Sequence, residues 1–400
     1  MDERFATRLI HAGEGKSKPY GAVTMPIVQT STYAFANTGA ITCFLEKKEG
    51  GVLDRQDEYG RYGNPTQSAV ERKLAALEGG ERGLLFATGM SAITTVLLTL
   101  LSRGDHLVVA SSTYRQTRNF AVDHLARWGV ETSFLGDGSI GNLAQALRPN
   151  TKLIFCEAPT NPYLRVIDLD RLSAIAKPRG ILTAIDSTFA TPANLRPLEH
   201  GIDLVIHSAT KYLGGHNDLL AGVVIGSKPR LAAIETLRGV LGGVGSPHDA
   251  YMLLRGLKTL DLRVRKQNET GQRIAEFLCR HPLVSDVFYP GLDSHPDRAI
   301  AARMMSGYGG VVSFEVAGSR DQTGRVIDAL RIPYIGPTLG GVESIAQQQS
   351  MFISLDPIKR ATYGISDSLI RFAAGIEDAD DLIADLDQAL RASVTEGEGG

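Results

Sequence analysis

The stretch HSATKYLGGHND, from His207 to Asp218, sets one lysine, Lys211, among hydroxyls and glycines just past a short apolar run. A lysine becomes a reagent when burial strips its proton, because the free amine attacks carbonyls and forms Schiff bases. Other apolar runs end in equally suggestive groups. Thr88, Gly89 and Met90 follow Leu84 to Ala87. Glu157, with Asn161 four residues on, follows Leu153 to Cys156, and Asp186 follows Leu182 to Ile185. Each alone has a plain explanation: a glycine turn, a turn amide, a helix cap, one solvated lysine among 42 basic side chains. Together they suit an aldehyde cofactor carried on Lys211. A phosphate on that cofactor wants the Ser208 and Thr210 hydroxyls and the free N–H groups of Gly89 and Met90 at a helix start. A pyridinium nitrogen wants a carboxylate such as Asp186, and Tyr114, after the run Leu107 to Ala110, supplies a ring to stack.

Such groups must be held at the carboxyl ends of parallel strands, where open α/β sheets bind ligands. The runs Leu84–Ala87, Leu107–Ala110, Leu153–Cys156, Leu182–Ile185, Leu204–Ile206 and Val223–Ile225 are short and almost wholly apolar. That texture predicts strands buried on both faces, most of them separated by helices such as 91–101 and 168–177. Asn64-Pro65 opens a further helix that Gly79-Gly80 closes. After a long helical region, 251–280, the strand-like runs Val311–Val316 and Leu369–Ala373 and the amphipathic segment 378–390 predict a smaller α+β domain. The expected organisation is an extended arm over 1–60, a large α/β domain over 61–255 and a C-terminal α+β domain over 256–400.

The bulk properties exclude several classes. The 400 residues carry a net charge of -2, which argues against a nucleic-acid binder working through a basic field. No apolar run approaches the ~18 residues of a membrane span. The opening MDERFATRLIHAGEG resembles neither a signal nor a transit peptide. Cys43, Cys156 and Cys279 are far apart, with no CxxC, so neither a disulfide framework nor a zinc site is indicated and a reducing cytoplasm is expected. GDGSIG at 136–141 matches the GxGxxG pattern of dinucleotide sites, but sits past the middle of the strand–helix series in a chain with 43 glycines. GMSAI at 89–93 lacks the second glycine of a nucleophile elbow, and no histidine falls at metal-ligand spacing.

The segments YGRYGNPT (59–66), ATGMSA (87–92), EAPTNP (157–162), DSTFATP (186–192) and HSATKYLGGHNDLLAG resemble the Cys/Met-metabolism pyridoxal-phosphate enzymes. The likeness runs from HAGEG at His11 to IRFAAGIED ending at Asp378. It implies the type I aspartate-aminotransferase-like fold with a mainly parallel seven-stranded sheet, pyridoxal 5'-phosphate, and a homotetramer built from active-site dimers. It also implies roles. Lys211 carries the cofactor and moves protons, assisted by Tyr114; Asp186 meets the ring nitrogen. Thr88, Gly89, Met90, Glu157, Asn161, Ser208 and Thr210 line the cofactor. Tyr59 and Arg61 reach the phosphate of a neighbouring subunit. Arg371, Asn161, Thr338 and Gln116 meet the amino-acid substrate.

YRQTRNF (114–120) and RIPYIGPTLGGVESI (331–345) look most like the plant-type branch of cystathionine γ-synthases. The implied reaction is γ-replacement on an activated homoserine ester by cysteine, with γ-elimination to a 2-oxo acid and ammonia as an accompanying or alternative outcome. The γ-lyases and the O-acylhomoserine sulfhydrylases are the neighbouring alternatives. Two departures bear on the substrate. Gln116 stands where the plant branch has a lysine for the substrate phosphate, and QQQSMFIS (347–354) replaces a segment that usually holds Pro-Ala and a methionine. An amide cannot supply the missing charge, which turns the expectation from O-phosphohomoserine toward an O-acylhomoserine or a different γ-substituted amino acid.

Overall fold

A computed structural model describes residues 3–50, 58–110, 112–136, 140–353, 356, 358, 360 and 364–395. The centre of GDGSIG, residues 137–139, and most of the tail lie outside them.

Seven strands form the first sheet: β1 (Arg82–Phe86), β2 (His106–Ala110), β3 (Glu131–Leu135), β4 (Thr151–Glu157), β5 (Leu182–Asp186), β6 (Leu204–His207) and β7 (Gly222–Gly226). Their order is β1-β7-β6-β5-β4-β2-β3. Only β7 runs against the rest, paired antiparallel to both β1 and β6, so this is the mainly parallel sheet expected. The six strands read from apolar runs are nearly all buried residue for residue, because helices cover both faces. β3 was not foreseen: at the sheet edge its Glu131, Thr132 and Ser133 do not need apolar side chains.

The local signals behave as their chemistry dictates. Asn64 Oδ1 accepts the Thr66 N–H at 2.9 Å and caps the helix Pro65–Glu78, which ends on Gly79 at φ 76°. Thr88 caps Gly89–Leu100 by accepting the Ser91 N–H at 3.0 Å. The region 251–280 resolves into two helices, Pro247–Leu257 and Leu260–Leu278.

A second sheet of five strands has the order β10-β11-β12-β9-β8. It comprises β8 (Val284–Phe288), β9 (Val311–Val316), β10 (Tyr334–Ile335), β11 (Ile345–Gln348) and β12 (Leu369–Ala373). β9 and β12 have the bounds expected of them. β11 escaped notice because its IAQQ buries two glutamines, against any hydrophobic pattern. Apolar residues of both sheets and of the Leu260–Leu278 helix share one core cluster.

The N-terminal region is not wholly extended. Phe5–His11 is a helix that buries Leu9, and Thr38–Glu49 is a helix with no buried residue. Lys73, fully buried, anchors the first of them: its ammonium donates to the Leu9 and Ile10 carbonyls at 2.7 and 3.0 Å and meets Glu14 at 3.1 Å.

Candidate active site

The carboxyl ends of β4, β5 and β6 and the turn after β1 converge on a cavity of about 350 Å³. Lys211 lies on its wall with Thr88, Gly89, Met90, Tyr114, Glu157, Asn161, Asp186, Ser208, Thr210 and Arg371. Eleven of the residues singled out from sequence thus meet in one place. Tyr59 and Arg61 line neither this cavity nor the larger one beside it. Arg61 donates to the Gly239 carbonyl at 2.5 Å and packs over the Tyr62 ring. Gln116 is exposed, accepts from Asn119 Nδ2 at 3.2 Å, and also lies outside both linings. Thr338 enters through Lys211 rather than through the cavity wall.

Lys211 Nζ donates to Thr338 Oγ1 at 2.7 Å. Burial, with the Arg371 guanidinium as a lesser cause, pulls its pKa down to about 8. Both causes disfavour the ammonium, and the result is an amine close to deprotonation near neutral pH.

Asp186 and Glu157 sit side by side as register partners on β5 and β4. Both are buried and both pKa values are raised. Burial and then the Asp186 charge push Glu157 well up; burial pushes Asp186 up, against two hydrogen bonds from Thr188. Burial thus weighs against charge on both, and the Asp186 charge falls on Glu157 as a further cause. Glu157 Oε1 accepts the Tyr114 N–H and so fixes the start of the Arg115–Asn119 helix. Thr188 lies within the DSTFATP segment and was assigned no role from sequence. Its N–H and hydroxyl donate to Asp186 Oδ1 at 3.0 and 2.5 Å, and its hydroxyl oxygen accepts the Ser208 N–H at 2.8 Å. The Asp-Ser-Thr turn carries that signal, an Asx-type bond two residues on.

The fit to a phosphorylated pyridine aldehyde can be tested on the cavity itself. Both Thr188 bonds fall on Oδ1, leaving Oδ2 for a ring N–H. Ser208 faces Gly89 so closely that a β-carbon at Gly89 would lie 2.8 Å from Ser208 Cβ and 3.0 Å from its Oγ. That cup, floored by the N-terminal N–H groups of Gly89–Leu100, has the shape and polarity of an anion site. Thr210 borders it, its hydroxyl exchanging bonds with Ala221 at 3.2 and 3.0 Å. The residues fit the group.

Arg371, on β12, is buried among neutral partners. It donates to Asn161 Oδ1 and to the Thr338 carbonyl, both at 3.1 Å, and its Nε has no partner. A buried cation without a counter-ion suits a carboxylate ligand. Beyond it opens a second chamber of about 680 Å³, which shares Tyr114, Asn161, Pro337 and Arg371 with the first. Gln347, Gln349, Arg115 and Tyr163 line it and were not assigned from sequence; only the oddity of QQQSMFIS pointed there. Among the described residues no cluster of His, Cys, Asp and Glu could hold a metal, and no helix is long and apolar enough to cross a membrane.

The family model described as Cys/Met metabolism PLP-dependent enzyme matches residues 6–391. The chain is 47% identical over 386 residues to the chloroplastic cystathionine gamma-synthase 1 of Nicotiana tabacum, covering 95% of this chain and 71% of that protein. It is 41% identical over 395 residues to the L-methionine gamma-lyase of Pseudomonas putida, covering 97% and 98%. The crystal structure of metB from Corynebacterium glutamicum superposes with a TM-score of 0.89 at 33% identity, covering 98% of each chain.

Proposed function

The chain belongs to the Cys/Met metabolism PLP-dependent enzymes, and from that premise we propose that it catalyses γ-replacement of an acylated homoserine by cysteine, giving cystathionine. The carrying observation is the pairing of a deprotonatable Lys211 with a buried, carboxylate-hungry Arg371 across one cavity. In this reading the substrate's Cγ–O bond breaks, a Cγ–S bond forms, and the thiol proton leaves with the released acid.

Ser208, Thr210 and the Gly89 and Met90 N–H groups hold the phosphate, with Thr88 capping that helix. Asp186 holds the ring nitrogen, Tyr114 stacks on the ring, and Glu157 places Tyr114. When bound, the cofactor serves as an electron sink for charge developing at the substrate's Cα. Lys211 moves the proton at Cα, and Thr338 orients its amine. Arg371 takes the α-carboxylate, while Asn161 keeps the guanidinium in place. Gln116 lines neither cavity of its own chain and is given no contact in this scheme.

Residues 1–60 form an arm, 61–255 the cofactor domain and 256–400 the C-terminal domain. Tyr59 and Arg61, idle in their own chain's cavities, serve the phosphate of a second copy within a homotetramer; the 43% exposure of Tyr59 supports a partner there. The free cysteines Cys43, Cys156 and Cys279 suit the cytoplasm.

Among the relatives, cystathionine gamma-synthases and gamma-lyases both occur, so the test must separate replacement from elimination. Purified protein is given O-acetyl-, O-succinyl- or O-phosphohomoserine, cystathionine or methionine, each with and without cysteine. Cystathionine formed from an acylhomoserine with cysteine, and absent in Lys211→Ala, is the expected result. Turnover confined to cystathionine or methionine would refute it.

A further inference from the structure

The larger chamber has a polarity that can be worked out bond by bond. Arg371 can only donate, so the Asn161 atom that receives it at 3.1 Å is the amide oxygen. Gln349 also meets that oxygen, at 3.2 Å, and must therefore present its NH₂. Its other end, the carbonyl oxygen, then faces Gln347, which must offer NH₂ in turn. Gln347 is left with its carbonyl oxygen, Oε1, buried and without a partner. The arginine thus fixes the orientation of three amides. The chain ends in an unpaired acceptor on the chamber wall.

The same wall carries an unsatisfied cation. Four arginines line the chamber and no acidic residue does, among the described residues. Arg165 is held by Asp297 in bonds of 2.6 and 3.1 Å, and Arg371 already has its role. Arg115 is half-buried, and its bond is to a neutral group, the Ile353 carbonyl at 3.2 Å. A phosphate or a plain acyl group would meet Arg115 but bring no donor to Gln347. A zwitterion brings both: a carboxylate for the guanidinium and an ammonium for the amide oxygen.

We propose that this chamber is the receiving site for the incoming thiol amino acid, with Arg115 taking its α-carboxylate and Gln347 Oε1 accepting from its ammonium. The inference deepens the γ-replacement reading and rests on it for the identity of the ligand. Gln349 and Asn161 act as positioning residues for Gln347.

The test uses holoenzyme reduced with borohydride, which fixes the cofactor on its lysine and stops turnover. S-methylcysteine is titrated by calorimetry beside two truncated probes, 3-(methylthio)propionate without the amine and 2-(methylthio)ethylamine without the carboxylate. Wild type is expected to prefer S-methylcysteine to either probe by roughly tenfold or more, the worth of one charge-assisted hydrogen bond. Arg115→Met should erase the advantage over the carboxylate-free probe, and Gln347→Leu the advantage over the amine-free one. Gln347→Glu, which keeps an acceptor, should restore the latter. Preferences that survive both substitutions overturn the proposal. In unreduced enzyme, Arg115→Met should raise KM for cysteine about tenfold and leave KM for the homoserine ester in place; an equal rise in both would also overturn it. If wild type makes no cystathionine from any ester, the γ-replacement reading fails, while the titrations still decide whether the chamber takes a zwitterion.

Discussion

Lys211 should capture an aldehyde at a pH where an ordinary lysine is almost inert. Its pKa is about 8 instead of 10.5, so at pH 7 roughly one molecule in ten carries the free amine, against about one in 3000 for a solvated side chain. Cofactor-free protein should therefore bind pyridoxal 5'-phosphate with a rate that climbs through pH 8, roughly 300-fold faster at neutrality than a pKa of 10.5 would allow. Arg371→Leu removes the second cause of the shift and leaves burial, the larger one. The midpoint should then move up from about 8 while staying below 10.5. The assay is stopped-flow absorbance of the bound cofactor from pH 6 to 10, with circular dichroism to confirm the fold of the variant. The linkage sign agrees: between about 8 and 10.5 the unfolded chain binds the proton that the folded site has lost, so this group favours folding more as pH rises. A midpoint near 10.5, or one that ignores Arg371→Leu, would refute the reasoning.

Three further outcomes follow from single contacts. Asp186→Asn should lower cystathionine formation roughly 10- to 100-fold, the worth of a charge-assisted hydrogen bond to the ring nitrogen, with the cofactor still bound in equilibrium dialysis. Gly89→Ala puts a β-carbon 2.8 Å from Ser208 Cβ and should weaken cofactor retention by about tenfold or more, an overpacking cost of 1–3 kcal/mol. Lys73→Met strands two carbonyls and takes from Glu14 the nearest of its three lysines. It should lower stability by about 3 kcal/mol in urea titration and speed proteolysis ahead of residue 30.

The parts of this molecule that follow from apolar patterning were legible in its sequence. The strands before Asp186 and Lys211, and β12 with Arg371, are short, buried and almost wholly apolar, so their ends could be placed within a residue or two. What stayed hidden obeys other constraints. β3 is a polar edge, and β11 spends buried positions on two glutamines, Gln347 donating to Gln349 and Gln348 to the Arg320 and Asp367 carbonyls. Gln116 entered through the family likeness, not through any pattern of its own. In the Arg115–Asn119 helix, Arg115 and Arg118 share a face and line the chamber, while Gln116, about 100° further round, faces solvent. Thr188 carried no signal of its own, because a hydroxyl two residues past an aspartate looks like turn chemistry until the Ser208 N–H is found on its other side.

The account depends most on Lys211 being the covalent seat of the cofactor. Holoenzyme reduced with borohydride, digested and analysed by mass spectrometry should carry the cofactor's mass on the peptide containing HSATK, at Lys211 and nowhere else. Label on another lysine, or none on this one, would contradict the site described here.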